Sequence, residues 1–245
     1  MDDATRARRR VLAIFLPIAA VLYISAEALS PKGTDQVATD TATALKLLAI
    51  AAKHPTQVYA AGACAVLGLG ALAVSYAAIA TLSRDRGSAL ATVAALIGSI
   101  GAFCGAIVEV LVFSNLAAAA TAHMTRGAAA QFLVTTFNSG FGHGFEYAYF
   151  IGIYVAPLLM GMALWLSRAV PRWLAVLFFV GLEVAQQQIS SGPVVVLYML
   201  PFAAAMVLLA ARIWQAAALP ASQPQLEPTG IPVSQQSGGR RIGSG

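Results

Sequence analysis

The sequence predicts an all-α fold: a polytopic membrane helix bundle of about six transmembrane helices, N-in/C-in, with a short outer interfacial helix and a broken entry to the fourth span. Three observations predict it. Of the 245 residues, 59% are hydrophobic and only 10% charged, whereas a soluble domain carries charge on about a quarter of its residues. Apolar windows of about 18 or more residues, the length that crosses a hydrocarbon core, recur along most of the chain. Basic residues gather in the short segments between those windows, where Lys and Arg mark the cytoplasmic side.

Residues 1–10 form a basic cytoplasmic N-terminus with Arg6, Arg8, Arg9 and Arg10, and the first span covers 11–29. The Arg-rich start with Ala26-Glu27-Ala28 also has the layout of a cleavable signal peptide. Against that, the apolar run is long enough to span, and further spans follow. The first outer loop, 30–55, carries a short helix over 40–53 that Asp40 or Thr39 caps and Pro55 stops. A stripe of Leu45, Leu48, Ala49 and Ala52 lays this helix on the membrane surface or on the bundle top. The second span covers 56–82 and the third 88–118, with 83–87 as the turn between them. The fourth ends near Trp165, the fifth begins at Trp173, and the sixth covers 193–214. The membrane domain thus runs over 11–216. Residues 217–245, rich in Pro, Gln, Ser and Gly, read as a disordered cytoplasmic tail.

Counting basic residues orients the bundle. Arg6, Arg8, Arg9, Arg10, Arg84, Arg86, Arg168, Arg172, Arg212, Arg240 and Arg241 fall on one side, and Lys32, Lys46, Lys53 and Arg126 on the other. Both termini are therefore expected inside, in a cell (plasma) membrane. The formal charge of +5 reads as this orientation signal, and without aromatic-basic interleaving it gives no case for nucleic acid. Cys64 and Cys104 sit in apolar runs without a CxxC or CxxCH context, so they read as small core residues.

The sharpest chemical signal is the placement of glutamate. Glu27, Glu109, Glu146 and Glu183 all lie inside apolar segments, while the remaining glutamate, Glu227, is in the tail. An ionised carboxylate near the bilayer centre costs at least about 2.5–3.5 kcal/mol, so such groups face the bundle or a wet cavity. From helix rise, Glu27, Glu109 and Glu146 stand roughly 24–31 Å above the inner ends of their helices, and Glu183 roughly 15–18 Å. Gly98, Gly101, Gly105 and Glu109 share one face of the third span, which turns Glu109 inward beside a close helix contact. Glu183, Gln186, Gln187 and Ser190 form a polar stripe in the fifth span, and Tyr23, Glu27 and Ser30 a looser one in the first. The bland alternative is that each glutamate is protonated or hydrogen-bonded and merely fixes packing.

Asn138-Ser139-Gly140-Phe141-Gly142-His143-Gly144-Phe145-Glu146-Tyr147 opens the fourth span. Three glycines in five residues predict a separate short helix over 127–138, a break, and then the main span, with Glu146 in its first turn favoured by the helix dipole. His143 and Glu146 share a face, with Tyr147 one turn on from His143. A metal site needs three or four such ligands, and His123 and the other glutamates could complete it. No HExxH, GxSxG, Walker or dinucleotide motif is present.

From Gln131 to Gly181 the order of His143 among glycines, a long apolar span, Ser167-Arg168 and Val170-Pro171-Arg172-Trp173-Leu174 resembles an uncharacterised bacterial six-helix integral membrane family, a domain of unknown function. The resemblance implies six helices and supplies no catalytic residues.

The leading functional expectation is an outward-opening carboxylate-lined cavity that binds or translocates a cation, a proton or a small cationic or amphipathic solute, with Glu27, Glu109, His143, Glu146, Tyr147, Glu183 and Gln187 as ligand-binding residues. No catalytic residue and no cofactor is predicted for it, with a bound divalent metal left open. One alternative is a non-catalytic accessory subunit docking a protein partner or a second copy. The other is a metal-dependent hydrolase in which His143, Glu146 and His123 hold a divalent ion that activates water.

Overall fold

The computed structural model describes residues 3–34, 38–83, 87–186 and 194–218. Its elements are helical: α1 (Asp3–Leu29), α2 (Thr41–Lys53), α3 (Pro55–Ala80), α4 (Ser88–Glu109), a π-helical turn (Val110–Ser114), α5 (Asn115–Thr121), α6 (Arg126–Phe137), α7 (Gly140–Ser167), α8 (Arg172–Gln186) and α9 (Val195–Ala218). Five helical stretches are long and apolar enough to cross a membrane: α1, α3, the continuous run Ser88–Thr121, α7 and α9. At 15 residues, α8 spans only about 22 Å over its described length, short of a full crossing. The count of six is therefore not carried by helix length. This is the architecture of a multi-pass membrane protein.

Neighbours in the chain pack side by side. Among the described residues, α1, α3, α4, α7, α8 and α9 form a ring that closes where α9 meets α1. The contacts of α3 with α4, α4 with α7, α7 with α8 and α9 with α1 run antiparallel. Gly68 of α3 abuts Leu22 and Tyr23 of α1, Gly98 abuts Tyr76 of α3, Gly101 meets Gly152, and Gly161 faces Phe179. At the closing seam, Tyr23 meets Phe202 edge to face at 6.2 Å and the Arg10 guanidinium lies 5.8 Å from the Trp214 ring centre. The start of α1 and the end of α9 thus share one end of the ring. Lipid supplies no hydrophobic drive for helix association, so close packing of small residues and interhelical hydrogen bonds hold such a ring. One of these bonds runs from the Ser99 hydroxyl to the Ala73 carbonyl at 2.7 Å.

A second, smaller core caps the other end. Ala44, Leu47, Leu48 and Ala51 of α2 pack on Leu116 and Ala117 of α5 and on Ala129, Ala130 and Leu133 of α6. The helix forms where expected because Asp40 caps it, accepting from the Thr43 backbone N–H at 2.9 Å, and Pro55 opens α3 at the position where its missing N–H costs nothing. Its buried stripe is displaced by one residue from the expected one, and Leu45 is exposed. The helix lies on the bundle top, where α6 offers a partner surface that a lone amphipathic pattern does not reveal.

The entry to the fourth span also differs in detail. The break falls at Asn138 and Ser139, not among the glycines. The Ser139 hydroxyl accepts from the Gly142 N–H at 3.1 Å, and this cap lets Gly140, Gly142 and Gly144 form the first turns of α7. Glu146 consequently sits in the second turn, beyond the reach of the helix dipole, which fades within the first. The Asn138 side-chain amide donates to the Thr39 carbonyl at 3.1 Å, tying this break to the loop before α2. The expectations for Arg84, Arg86, Gln187, Ser190 and the segment beyond Ala218 lie outside the described residues; the first two positions of the expected tail, Ala217 and Ala218, belong to α9.

Candidate functional site

The glycine face of α4 sets the site. A Cβ at Gly98 would fall 2.7 Å from the Tyr76 ring and one at Gly105 would fall 2.5 Å from the Tyr149 ring. These two glycines therefore seat two tyrosines inside the ring, both buried. Glu109 follows one turn beyond Gly105 on the same face, and it is the last α-helical residue before the π turn Val110–Ser114. Such turns shift the register of the residues that follow and recur at functional sites. Here Phe113, within the turn, lies against Gly62 of α3.

Three helices bring their polar groups together at this level. The hydroxyls of Tyr23 on α1 and Tyr149 on α7 are hydrogen-bonded to each other. Both stand within electrostatic range of Glu27 and Glu109, and the two carboxylates are within range of one another. Glu27 lies one turn beyond Tyr23 on α1, as Glu109 lies one turn beyond Gly105 on α4. Both glutamates are half-buried.

The other expected site residues are placed differently. His143 Nδ1 and Glu146 Oε2 are hydrogen-bonded at 3.2 Å, with the two side chains 41% and 21% exposed. The His143 ring also lies 6.3 Å from each of the rings of Phe137 and Tyr147. Tyr147 itself is 66% exposed and is not brought to the interior. Glu183 lies apart from the Glu27 and Glu109 pair, within range of Tyr76 instead. Gln187 is outside the described residues. His123 is exposed in the turn between α5 and α6, and among the described residues no three of His, Cys, Asp and Glu come together as metal ligands. The sequence reading missed Tyr76 and Tyr149. Glycines at 98 and 105 signal large partners, but a single sequence does not say which residues fill them.

The chain matches no family model, no curated protein and no solved structure.

Proposed function

We propose that the chain is a cell-membrane protein that crosses six times with both ends in the cytoplasm, and that it binds or translocates a proton, a cation or a small cationic solute at the Glu27, Glu109, Tyr23 and Tyr149 site. The antiparallel order of the ring supports six crossings. So does the contact of Arg10 with Trp214, which puts the first and last helices' outer ends of sequence on one side. The basic residues of that side, including Arg168 and Arg172 in the α7 to α8 turn, support its cytoplasmic placement.

The observation that carries the binding role is the convergence of Glu27 and Glu109 from separate helices beside a hydrogen-bonded tyrosine pair. Two ionised carboxylates side by side, drawn out of water, are costly singly and repel one another. Such a site takes up positive charge, as a proton or a cation. Tyrosine hydroxyls then supply hydrogen bonds that orient whichever form is present. The metal-hydrolase alternative draws on one pair, His143 and Glu146, and a catalytic ion needs at least one further ligand.

Proteoliposomes given an inward gradient of H⁺, of Na⁺ or of tetraphenylphosphonium test this reading. At least one of these probes is expected to be bound or carried, with a loss of tenfold or more in Glu109→Gln. Indifference to that substitution and to pH for all three probes would sink it.

A further inference from the structure

The seam between α7 and α8 is open on the outside of the ring. Leu158, Met162, Trp165 and Leu166 of α7 and Val176 and Phe179 of α8 line a groove there, and Gly161 leaves its floor without a filling side chain. The lining is apolar, and all of these large side chains but Phe179 are exposed.

The groove is as deep as one leaflet. From Leu158 to Ser167, where α7 ends, the helix rises about 14 Å, and half of a hydrocarbon core is about 15 Å. A docked transmembrane helix calls for a groove of about 30 Å. An acyl chain of the nearer leaflet calls for this one.

The mouth of the groove is positively charged. The Arg172 guanidinium lies 4.9 Å from the centre of the Trp165 ring, and Trp165 is itself part of the lining. Tryptophan favours the level of the headgroups, so this contact holds a cation where lipid phosphate lies. Arg168 is exposed in the same turn. Among the described residues, neither Arg168 nor Arg172 is in an ion pair with a carboxylate. A guanidinium presents parallel N–H donors that match phosphate. Unneutralised arginines over an apolar slot one leaflet deep complement a ligand with an anionic head and a hydrocarbon chain.

We infer that the α7 and α8 seam binds an anionic phospholipid of the leaflet at the basic end of the ring, with one acyl chain along the groove and the phosphate against Arg172 and Arg168. A zwitterionic lipid offers the same chain, but its head carries a cation that the two arginines repel. The site is separate from Glu27 and Glu109 and does not depend on the role proposed for them.

The test is quenching of Trp165 fluorescence by phospholipids with brominated acyl chains, in vesicles that hold the full chain. Trp173→Phe and Trp214→Phe leave Trp165 as the one tryptophan. Brominated phosphatidylglycerol is expected to half-quench it at a mole fraction about fivefold lower, or more, than brominated phosphatidylcholine, since one arginine near an anionic lipid contributes about that factor. Arg168→Gln with Arg172→Gln, both at exposed positions, is expected to remove the preference. Arg10→Gln, at the same end of the ring on the α1 and α9 seam, is expected to leave it. Val176→Phe, which fills the groove from an exposed position, is expected to weaken quenching by both lipids. Equal quenching by the two lipids overturns the proposal, as does a preference that survives loss of both arginines. An equal loss in Arg10→Gln overturns it in favour of diffuse surface charge. A Trp165 shielded from both lipids overturns it in favour of a second copy of the chain on this seam.

Discussion

Helix α7 is packed on two sides, and the two seams are built differently. Against α4 the backbones touch. A Cβ on Gly101 would lie 2.3 Å from Gly152 Cα, and the reverse holds equally. Against α8 there is no such backbone contact at Gly161, where a Cβ would meet Phe179 Cβ at 3.3 Å and the Ala175 carbonyl at 3.5 Å. A groove of about 320 Å³ opens there among Leu158, Met162, Trp165, Val176 and Phe179. Helix α8 is instead seated on α9, where Gly181 abuts the backbone of Pro201 and Phe202. The difference teaches which part of the ring is fixed. In lipid the closeness of backbones decides how firmly two helices hold, so the seam carrying Glu109 and Tyr149 is the rigid one and the seam between α7 and α8 is the joint.

The strongest way to break this comparison is to put the same methyl group into each seam. Gly101→Ala or Gly152→Ala is expected to cost about 3 kcal/mol or more, because the opposing atoms are backbone and cannot turn aside. Loss of monodisperse protein, or a large fall in Tm in detergent, reads it out. Gly161→Ala is expected to stay within about 1 kcal/mol of wild type, since removing a helical glycine offsets a slight overlap. Equal losses at the two seams would mean that the groove is not a loose joint.

A smaller effect sharpens the same contrast at the inner end of the joint. There the Arg172 guanidinium lies 4.9 Å from the Trp165 ring centre, a contact worth about 0.5–1 kcal/mol at an exposed site. Trp165→Leu is expected to lower Tm by a few degrees and to leave probe binding at Glu109 unchanged, since the rigid seam is untouched. A fall as large as that for Gly101→Ala would make the cation and ring contact the main fastening of α7 to α8.

How far these features were legible in the sequence follows from their range. Local patterns were readable: Asp40 and Pro55 bracket α2, and the glycine face that turns Glu109 inward is written within four turns of one helix. The pairing of His143 with Glu146 was readable for the same reason, being three residues apart. Convergence across helices was not. Nothing in the order of residues says that Glu27 comes within electrostatic range of Glu109 while Glu183 comes within range of Tyr76, because that depends on the rotation of each helix about its axis. Rotation is set by which ring fills which glycine notch, as Tyr149 fills that of Gly105. The π turn after Glu109 is equally invisible, because it changes register without a change of composition. Helix length leaves one expectation open: the apolar window beginning at Trp173 reads as a full span, and the described residues of that helix end at Gln186.

The smallest expected effect concerns the cap, which covers the rigid seam and not the joint. Helix α5 continues α4, α6 leads into α7, and α2 packs on both, so α2 bridges the two sides of the Gly101 and Gly152 seam at its capped end. Its N-terminus is held by Asp40, whose carboxylate accepts from the Thr43 N–H at 2.9 Å and from the Thr43 hydroxyl at 2.8 Å. Those bonds favour the charged form and hold the Asp40 carboxyl below the ordinary carboxylate range. Because the folded value lies below the unfolded one, this contribution is complete above the unfolded value, near pH 4, and is lost as pH falls through the folded value. Acidification through that window is therefore expected to lower protection from hydrogen exchange, taken relative to the intrinsic rate at the same pH, at the first amides of α2 while leaving protection in α8 unchanged. Asp40→Asn, which keeps an accepting oxygen without the charge, is expected to abolish the pH dependence. If protection in α2 is as pH-sensitive in Asp40→Asn as in the wild type, another group governs the cap, and the cap's hold on the rigid seam has to be sought between α2 and α6.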